Sequence, residues 1–496
     1  MSNPQAAAAP VQPPRRLFLT VVPPIALPVL LASADPTLVA TSLPAIGAAL
    51  GHVRLLPWMV VANLIASTIA APAYGRLGDM FGRRRVLLAS LAVFVAAALL
   101  CAAAGNIFLL IGGRILQGFG GGGLMTLCQA LIGEHVPRRE RGRYQSYFAI
   151  FIMAGSFIGP VAGGFLTQRL GWPAVFLAYV PVCVAALALA ARLPSAPGSG
   201  AQGRFDLAGM VLLAVFVVPL LLAVGRLQRP TPASLPLTLA LAALAGGALF
   251  ILLRQQGRAG AGVLALPLLR QASFWRADGI AACSGASLTA MVTFLPLYFE
   301  VLEGASAARS GLLLMPLTVA VSAGSVLTGR LVALTGRTAL FPGLGLMVTA
   351  ATLLAAAALG PQLSAGALSA LLAVGGLCQG SAMLTAQVTV QLVASPRQFG
   401  VASASVQLSR SLGSAFGAAV AGAVLFGLLT AQDGHATALF LDLVRHGPGG
   451  LAALPPPARL LARAEIANAF RGVFLTVAAF SCTIVGLAWT MPTRRV

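Results

Sequence analysis

The chain has 496 residues, 58% of them hydrophobic and 9% charged, against about 25% charged in an ordinary soluble domain. So much apolar surface cannot be hidden from water inside one chain, which excludes a soluble globular protein. That surface can face lipid, where backbone groups are satisfied within helices. The net charge of +21 comes from 32 basic residues, all Arg, spread over many short loops. This spread argues against a nucleic-acid surface and fits the basic bias of cytoplasmic loops in membrane proteins.

In chain order, MSNPQAAAAPVQPPRR reads as a short tail. The apolar run after it is too long for a signal-peptide core and lacks a cleavage site, so it is expected to be a retained first span. Fourteen spans are predicted, at about 17–43, 55–75, 86–104, 107–133, 144–168, 174–192, 207–225, 235–253, 277–300, 309–329, 339–359, 365–393, 399–429 and 470–491. With the N-terminus inside, the inner segments hold 21 arginines and the outer segments 9, with Arg114 and Arg410 within spans. Both termini are therefore expected to be cytoplasmic, in the plasma membrane.

Two connections stand out. Residues 193–206 form a Pro/Gly/Ser linker, and residues 431–466 read as a long outer loop. Six spans precede the linker, two follow it, and six more come after a second cytoplasmic loop. The expected fold is all-α, with two six-helix bundles and an inserted helix pair. The divisions fall at 1–192 for the first bundle, 193–274 for the linker, extra pair and loop, and 275–496 for the second bundle. Transporters are often built from such repeated halves, with the substrate site between them near the midplane.

Residues 30–44, LLASADPTLVATSLP, place Asp35 inside the first apolar run with no basic residue within a turn or two. Counting from Leu17 puts it about 27 Å along the span. An intramembrane ionisable residue is a functional candidate, because desolvation makes its charge conditional on its surroundings. The plainer reading is an interfacial Asp capping a helix broken at Pro36. The next motif, GRLGDMFGRRRV, is read as the loop after the second span. Gly75, Gly78 and Gly82 allow close backbone approach and a sharp turn, and Asp79 can pair with an arginine or approach a helix N-terminus.

These stretches carry a resemblance. Gly75 to Arg84 resembles the signature loop of the major facilitator superfamily, with Gly78 between Leu77 and Asp79. RILQGFGGG from Arg114 is similar to its fourth-span motif, and GSFIGPVAGG from Gly155 to its fifth-span antiporter motif. DPTLVATSLP from Asp35 and WPAVFLAYVP from Trp172 resemble motifs of fourteen-span drug:proton antiporters, although Pro173 and Tyr179 stand where that family carries Arg and Asn. YFEVLEGASAARSGLLLMP and QLSRSLGSAFG extend the likeness through the second half.

The resemblance implies proton and cation coupling at Asp35, a part in proton movement for Arg114, and a conformational role for Gly75, Asp79, Gly82 and Arg83. It also implies a kinked, exchange-linked face formed by Gly155, Gly159, Pro160, Gly163 and Gly164. GFGGGG from Gly118 satisfies a dinucleotide-binding pattern, but it continues a helical run with no preceding strand. Close helix packing is the expected role.

The remaining acids are few. Asp278 and Glu300 are candidates for proton or substrate contacts, with interfacial roles as the alternative, and Glu303 is read as solvated. Met125, Gln129, Phe148, Phe151, Met153, Phe294, Gln379, Met383 and Gln387 are candidate cavity residues, although each also suits ordinary helix packing. The six cysteines lie in apolar runs without disulfide or metal spacing, and no G-x-S-x-G or H-E-x-x-H occurs.

The expectation is a proton-driven exporter of lipophilic, cationic compounds that works as a monomer. It would be no enzyme and would use the proton gradient with no metal or cofactor. Its partners would be small amphipathic substrates, protons and membrane lipid, not nucleic acid. A lipid or metabolite exporter of the same fold is the alternative reading.

Overall fold

The computed structural model describes residues 14–52, 55–194, 205–227, 235–258, 266–335, 340–431, 440 and 456–492. Fourteen of its helices are long and apolar enough to cross a membrane. The first six are α1 (Pro14–Ala40), α2 (Leu56–Phe81), α3 (Arg83–Ala102), α4 (Ile107–His135), α5 (Arg141–Leu170) and α6, a span over Pro173–Ala190 made of the short helix Pro173–Leu177 and the helix Tyr179–Ala190. The inserted pair is α7 (Leu207–Leu227) and α8 (Leu235–Arg258). The last six are α9 (Ala272–Leu302), α10 (Ala307–Thr335), α11 (Leu340–Leu359), α12 (Ala365–Val393), α13 (Phe399–Ala431) and α14 (Pro456–Trp489).

Local chemistry sets several ends. Asn106 caps α4, its side-chain oxygen accepting from the Leu109 amide at 2.8 Å, and Ser364 caps α12 by accepting from Ala367 at 3.3 Å. Gly82 separates α2 from α3 with φ +93°, a conformation costly for a side-chain-bearing residue.

Three boundaries differ from expectation. The helix α1 runs unbroken through Pro23, Pro24, Pro28 and Pro36, so Asp35 does not cap a broken helix. Packed neighbours and hydroxyl side chains can satisfy the carbonyls that prolines free. The helix α2 continues to Phe81, which puts Asp79 in its last turn rather than in a loop. The last helix begins at Pro456, so residues 456–466 are helix and not part of an outer loop. Proline suits a first helical turn, and the residues after it are good helix formers. Most of the 431–466 stretch and of the 193–206 linker lies outside the described residues.

The two sets of six repeat the same packing. In the first, α1 packs on α5, α2 on α4 and α3 on α4. In the second, α9 packs on α13, α10 on α12 and α11 on α12. The halves then meet reciprocally, with α2 against α13 and α5 against α10. Separate apolar cores form in the first half around Leu87, Phe94, Leu127 and Phe176 and in the second around Phe299, Leu425 and Phe470.

The inserted pair sits at one of these seams. Leu213 and Val217 of α7 and Leu252 of α8 cluster with Ile65 and Ile69 of α2 and Leu408 of α13. Asp206, just before α7, accepts from the Gly209 amide at 2.8 Å and from Gln255 at 2.9 Å, tying the pair together at one end. The far face of α8 exposes Leu239, Leu244, Phe250 and Ile251, as a lipid-facing helix does. Single cysteines along α8 are expected to stay unreactive toward a membrane-impermeant thiol reagent. A reactive stripe at helical spacing would place water, and not lipid, along that helix.

Candidate coupling site and latch

The first site forms around Asp35, in the part of α1 remote from the α2–α3 turn. Arg114 of α4 meets it end-on, with Nη1 donating to Oδ1 at 2.7 Å and Nη2 to Oδ2 at 2.9 Å. This forked geometry is the strong form of a carboxylate contact. The Tyr179 hydroxyl of α6 donates to Oδ1 at 3.0 Å, and Asn63 of α2 donates to Oδ2 at 3.2 Å. Arg114 also donates to Gln117 at 2.8 Å and toward the Met59 carbonyl at 3.4 Å.

Asp35 is 3% exposed and Arg114 fully buried, so each charge depends on the other, because one partner alone would be an uncompensated ion in a dry interior. Phe94 and Phe176 flank the Tyr179 ring edge-on and hold its hydroxyl toward the carboxylate. The partner arginine is 79 residues from Asp35, which is why no basic neighbour marks it in the sequence. Gln117 is the glutamine of the RILQGFGGG motif, whereas the sequence marks Asn63 only as a polar residue in an apolar run. Tyr179 entered as a departure from the family pattern, and here that departure supplies a donor.

The second site joins the halves. Asp79 Oδ1 accepts from Arg83 at 2.6 Å and from the Gly400 amide at 2.9 Å, and Oδ2 accepts from the Val401 amide at 3.0 Å. Those amides are in the first turn of α13, where unpaired N–H groups and the helix dipole favour a negative charge. Arg83 also reaches across to the Pro396 carbonyl at 2.8 Å and pairs with Glu134 of its own half at 2.6 Å. Arg141 donates to the Gln391 carbonyl at 2.8 Å and to Gly133 at 2.7 Å. Arg83 and Arg141 both stand over the Phe399 ring, at 5.6 and 4.8 Å.

The backbones come close here because Gly75 and Gly400 face each other. A Cβ on Gly75 would lie 2.5 Å from the Gly400 carbonyl oxygen. Ser146 and Gln391 add further bonds between the halves. The two halves are therefore latched together at the end where α2 stops and α13 starts.

The other candidates are more dispersed. Gly155, Gly159 and Gly163 form one stripe of α5 that packs on Ser33 and Thr37 of α1 and on Thr41 just past its end; a Cβ at Gly159 would lie 2.9 Å from the Ala34 carbonyl. Pro160 faces away from this contact, and Gly164 has nothing within 4 Å of its Cβ direction. Asp278 of α9 is 6% exposed and accepts one hydrogen bond, from Ser405 of α13; its Oδ1 has no partner. Glu300, half-buried, accepts from Ser310 at 2.7 Å, and Glu303 faces Arg463 at 3.9 Å. Arg410 bonds Gln407 of its own helix at 2.9 Å and has no ion pair among the described residues.

The candidate cavity residues divide. Gln129, Phe148, Phe294 and Gln387 are buried in closed packing, whereas Met125, Phe151, Met153 and Met383 are half-buried. Gln379 lines a narrow cleft of about 30 Å³ with Ser287, Met291, Leu317 and Thr352. Among the described residues no His/Cys/Asp/Glu group is arranged to hold a metal ion.

Two repeated helical halves, latched at one end and carrying a buried charge cluster, define a membrane transporter built from internal repeats. The chain matches the Major Facilitator Superfamily over residues 25–418, and it belongs to that family. It is a transporter and not an enzyme. It is 32% identical over 481 residues to an uncharacterized MFS-type transporter of Mycobacterium tuberculosis, covering 94% of this chain and 68% of that one. It is 32% identical over 402 residues to the multidrug transporter protein MdtP of Bacillus subtilis, covering 79% of this chain and 72% of that one. Among solved structures, the proton:xylose symporter XylE matches with TM-score 0.62 at 17% identity, covering 96% of each chain. The human organic anion transporter MFSD10 matches with TM-score 0.60 at 18% identity, covering 96% of this chain and 100% of that one. At those identities the likeness is one of fold.

Proposed function

We propose that this protein is a proton-coupled exporter of lipophilic compounds, working by alternating access in the plasma membrane with both termini cytoplasmic. The observation that carries the reading is the buried Asp35–Arg114 pair, with Tyr179 and Asn63 completing the carboxylate's hydrogen bonds. A proton arriving at Asp35 neutralises it and releases Arg114 to seek another partner. One proton therefore changes the bonding among α1, α2, α4 and α6. The latch supplies the second state variable. With Asp79 bound to α13 the cytoplasmic end is shut, and the opposite end is the one that admits protons and discharges cargo. The relatives named a multidrug transporter and, in Fusarium, an efflux pump support outward movement of small organic molecules.

Cationic cargo follows if the Asp35 carboxylate is released from Arg114 during the cycle, since an unpaired carboxylate in a low-dielectric cavity attracts cations. One observation favours a neutral lipid or metabolite instead: in this state Arg114 already satisfies Asp35, and the cleft near Gln379 is nearly apolar. Expression in a pump-deficient host decides between them. Export of cations predicts raised resistance to quaternary ammonium compounds and faster efflux of cationic dyes, both lost with Asp35→Asn. No change in resistance or efflux at confirmed membrane expression overturns the cationic reading in favour of the neutral one.

A further inference from the structure

The two buried carboxyls of the membrane interior are treated very differently by their surroundings. Asp35 has a guanidinium and two neutral donors. Asp278 is nearly as buried, yet it has only the Ser405 hydroxyl, and its Oδ1 meets no donor.

The charged groups on the packed elements do not make up the difference. Arg276 is two residues back on the same helix, a spacing that does not face, and its guanidinium stands over Trp275 at 5.1 Å. Arg410 of α13 lies about five residues, roughly 7.5 Å, beyond Ser405 and bonds Gln407. Arg330 of α10 is exposed. Arg463, Glu465 and Arg471 of α14 lie toward the opposite end of the molecule, and α12 carries no charged residue. Among the described residues Asp278 makes no ion pair. An uncompensated carboxylate costs several kcal/mol in such a place, whereas the neutral acid does not incur that penalty.

Building on the export reading above, we propose that Asp278 is a second proton-binding site, in the carboxyl-terminal half, occupied while the latch is closed. Its position gives the proton an exit. Asp278 is about six residues, roughly 9 Å, inside the start of α9. Its partner Ser405 follows Ala404, whose Cβ is in contact range of Gly75 in the other half. Opening the latch parts this seam and wets the site. Water then solvates the carboxylate, and the proton leaves on the latch side. The proton comes from the other side, through the end that is open while the latch is shut. No bond other than O–H forms or breaks, and one positive charge crosses per cycle in addition to the proton carried at Asp35.

Two measurements test this on the full-length protein. In lipid nanodiscs, infrared difference spectra of wild type minus Asp278→Asn should contain a protonated-carboxyl C=O band that is lost in the variant and persists in Asp35→Asn. If Asp278→Asn leaves that region of the spectrum unchanged, the carboxyl is ionised and the proposal is overturned. The second uses proteoliposomes and a cationic dye, with equal pH on both sides and about 100 mV imposed. Removing one transported charge should lower the maximal dye gradient about 50-fold, from the electrical term of about 2.3 kcal/mol per charge per 100 mV. Export lost in Asp35→Asn but unchanged in gradient for Asp278→Asn would refute this inference alone, whereas pH-driven export that survives both substitutions would refute the coupling reading beneath it.

Discussion

Asp35→Asn abolishes export driven by a pH gradient, and it also weakens the fold. Asparagine keeps the shape of the side chain but only one acceptor oxygen for the two donors Tyr179 and Asn63, and it has no carboxyl to take up and release a proton. It also leaves the fully buried Arg114 without its counter-charge. Removing one partner of a buried pair costs about 3–5 kcal/mol, so the variant should melt earlier in detergent. The double variant Asp35→Asn/Arg114→Gln separates the two effects. With both charges gone the burial penalty disappears, so melting recovers most of the way while pH-driven export stays absent. Vesicle flux and thermal melting on the three proteins check this. A single variant that pumps against a gradient at the wild-type rate removes Asp35 from the coupling step.

Asp79→Asn should shift the latch toward its open state. The carboxylate holds Arg83 at 2.6 Å and two first-turn amides of α13 at 2.9 and 3.0 Å. Asparagine keeps one acceptor oxygen and loses the charge. A charge at a partly buried helix N-terminus contributes up to about 2 kcal/mol, which corresponds to roughly a 30-fold change in the ratio of the two states. Spin labels at Arg85 and Arg397, both exposed at this end, report the change as a longer distance between the halves and slower transport. Gly75→Ala should act in the same direction, because its methyl would meet the Gly400 carbonyl at 2.5 Å. Distances that match wild type in every condition would show that the Asp79 contact does not bias the latch.

Much of this molecule can be read along the chain. Spans are local: about twenty consecutive residues either can or cannot lie in lipid, and the backbone then has little choice but helix. The fourteen spans were therefore visible in composition alone, and so were the close-packing glycines and the acid at position 79. Boundaries were less visible where a charged residue continues a helix. Asp79 and Arg83 look like loop residues by polarity, yet one ends α2 and the other begins α3, because each charge is satisfied by a partner from another helix. The polarity rule assumes water as the partner.

Tertiary structure alone decided the pairing. Asp35 stands by itself in the sequence, and only the packing of α1 against α4 brings Arg114 to it. The same packing gives Asp35 a counter-charge and leaves Asp278 without one, although both are single acids in apolar runs. The seam chosen by the inserted pair, the bonds that join the halves where α2 ends, and the meeting of Gly75 with Gly400 also come from contacts between residues far apart in the chain. The physical reason is one of range. Hydropathy acts residue by residue against the solvent, so it is written locally, whereas ion pairs, first-turn amides and glycine contacts act over a few ångströms between helices whose arrangement only the folded whole provides.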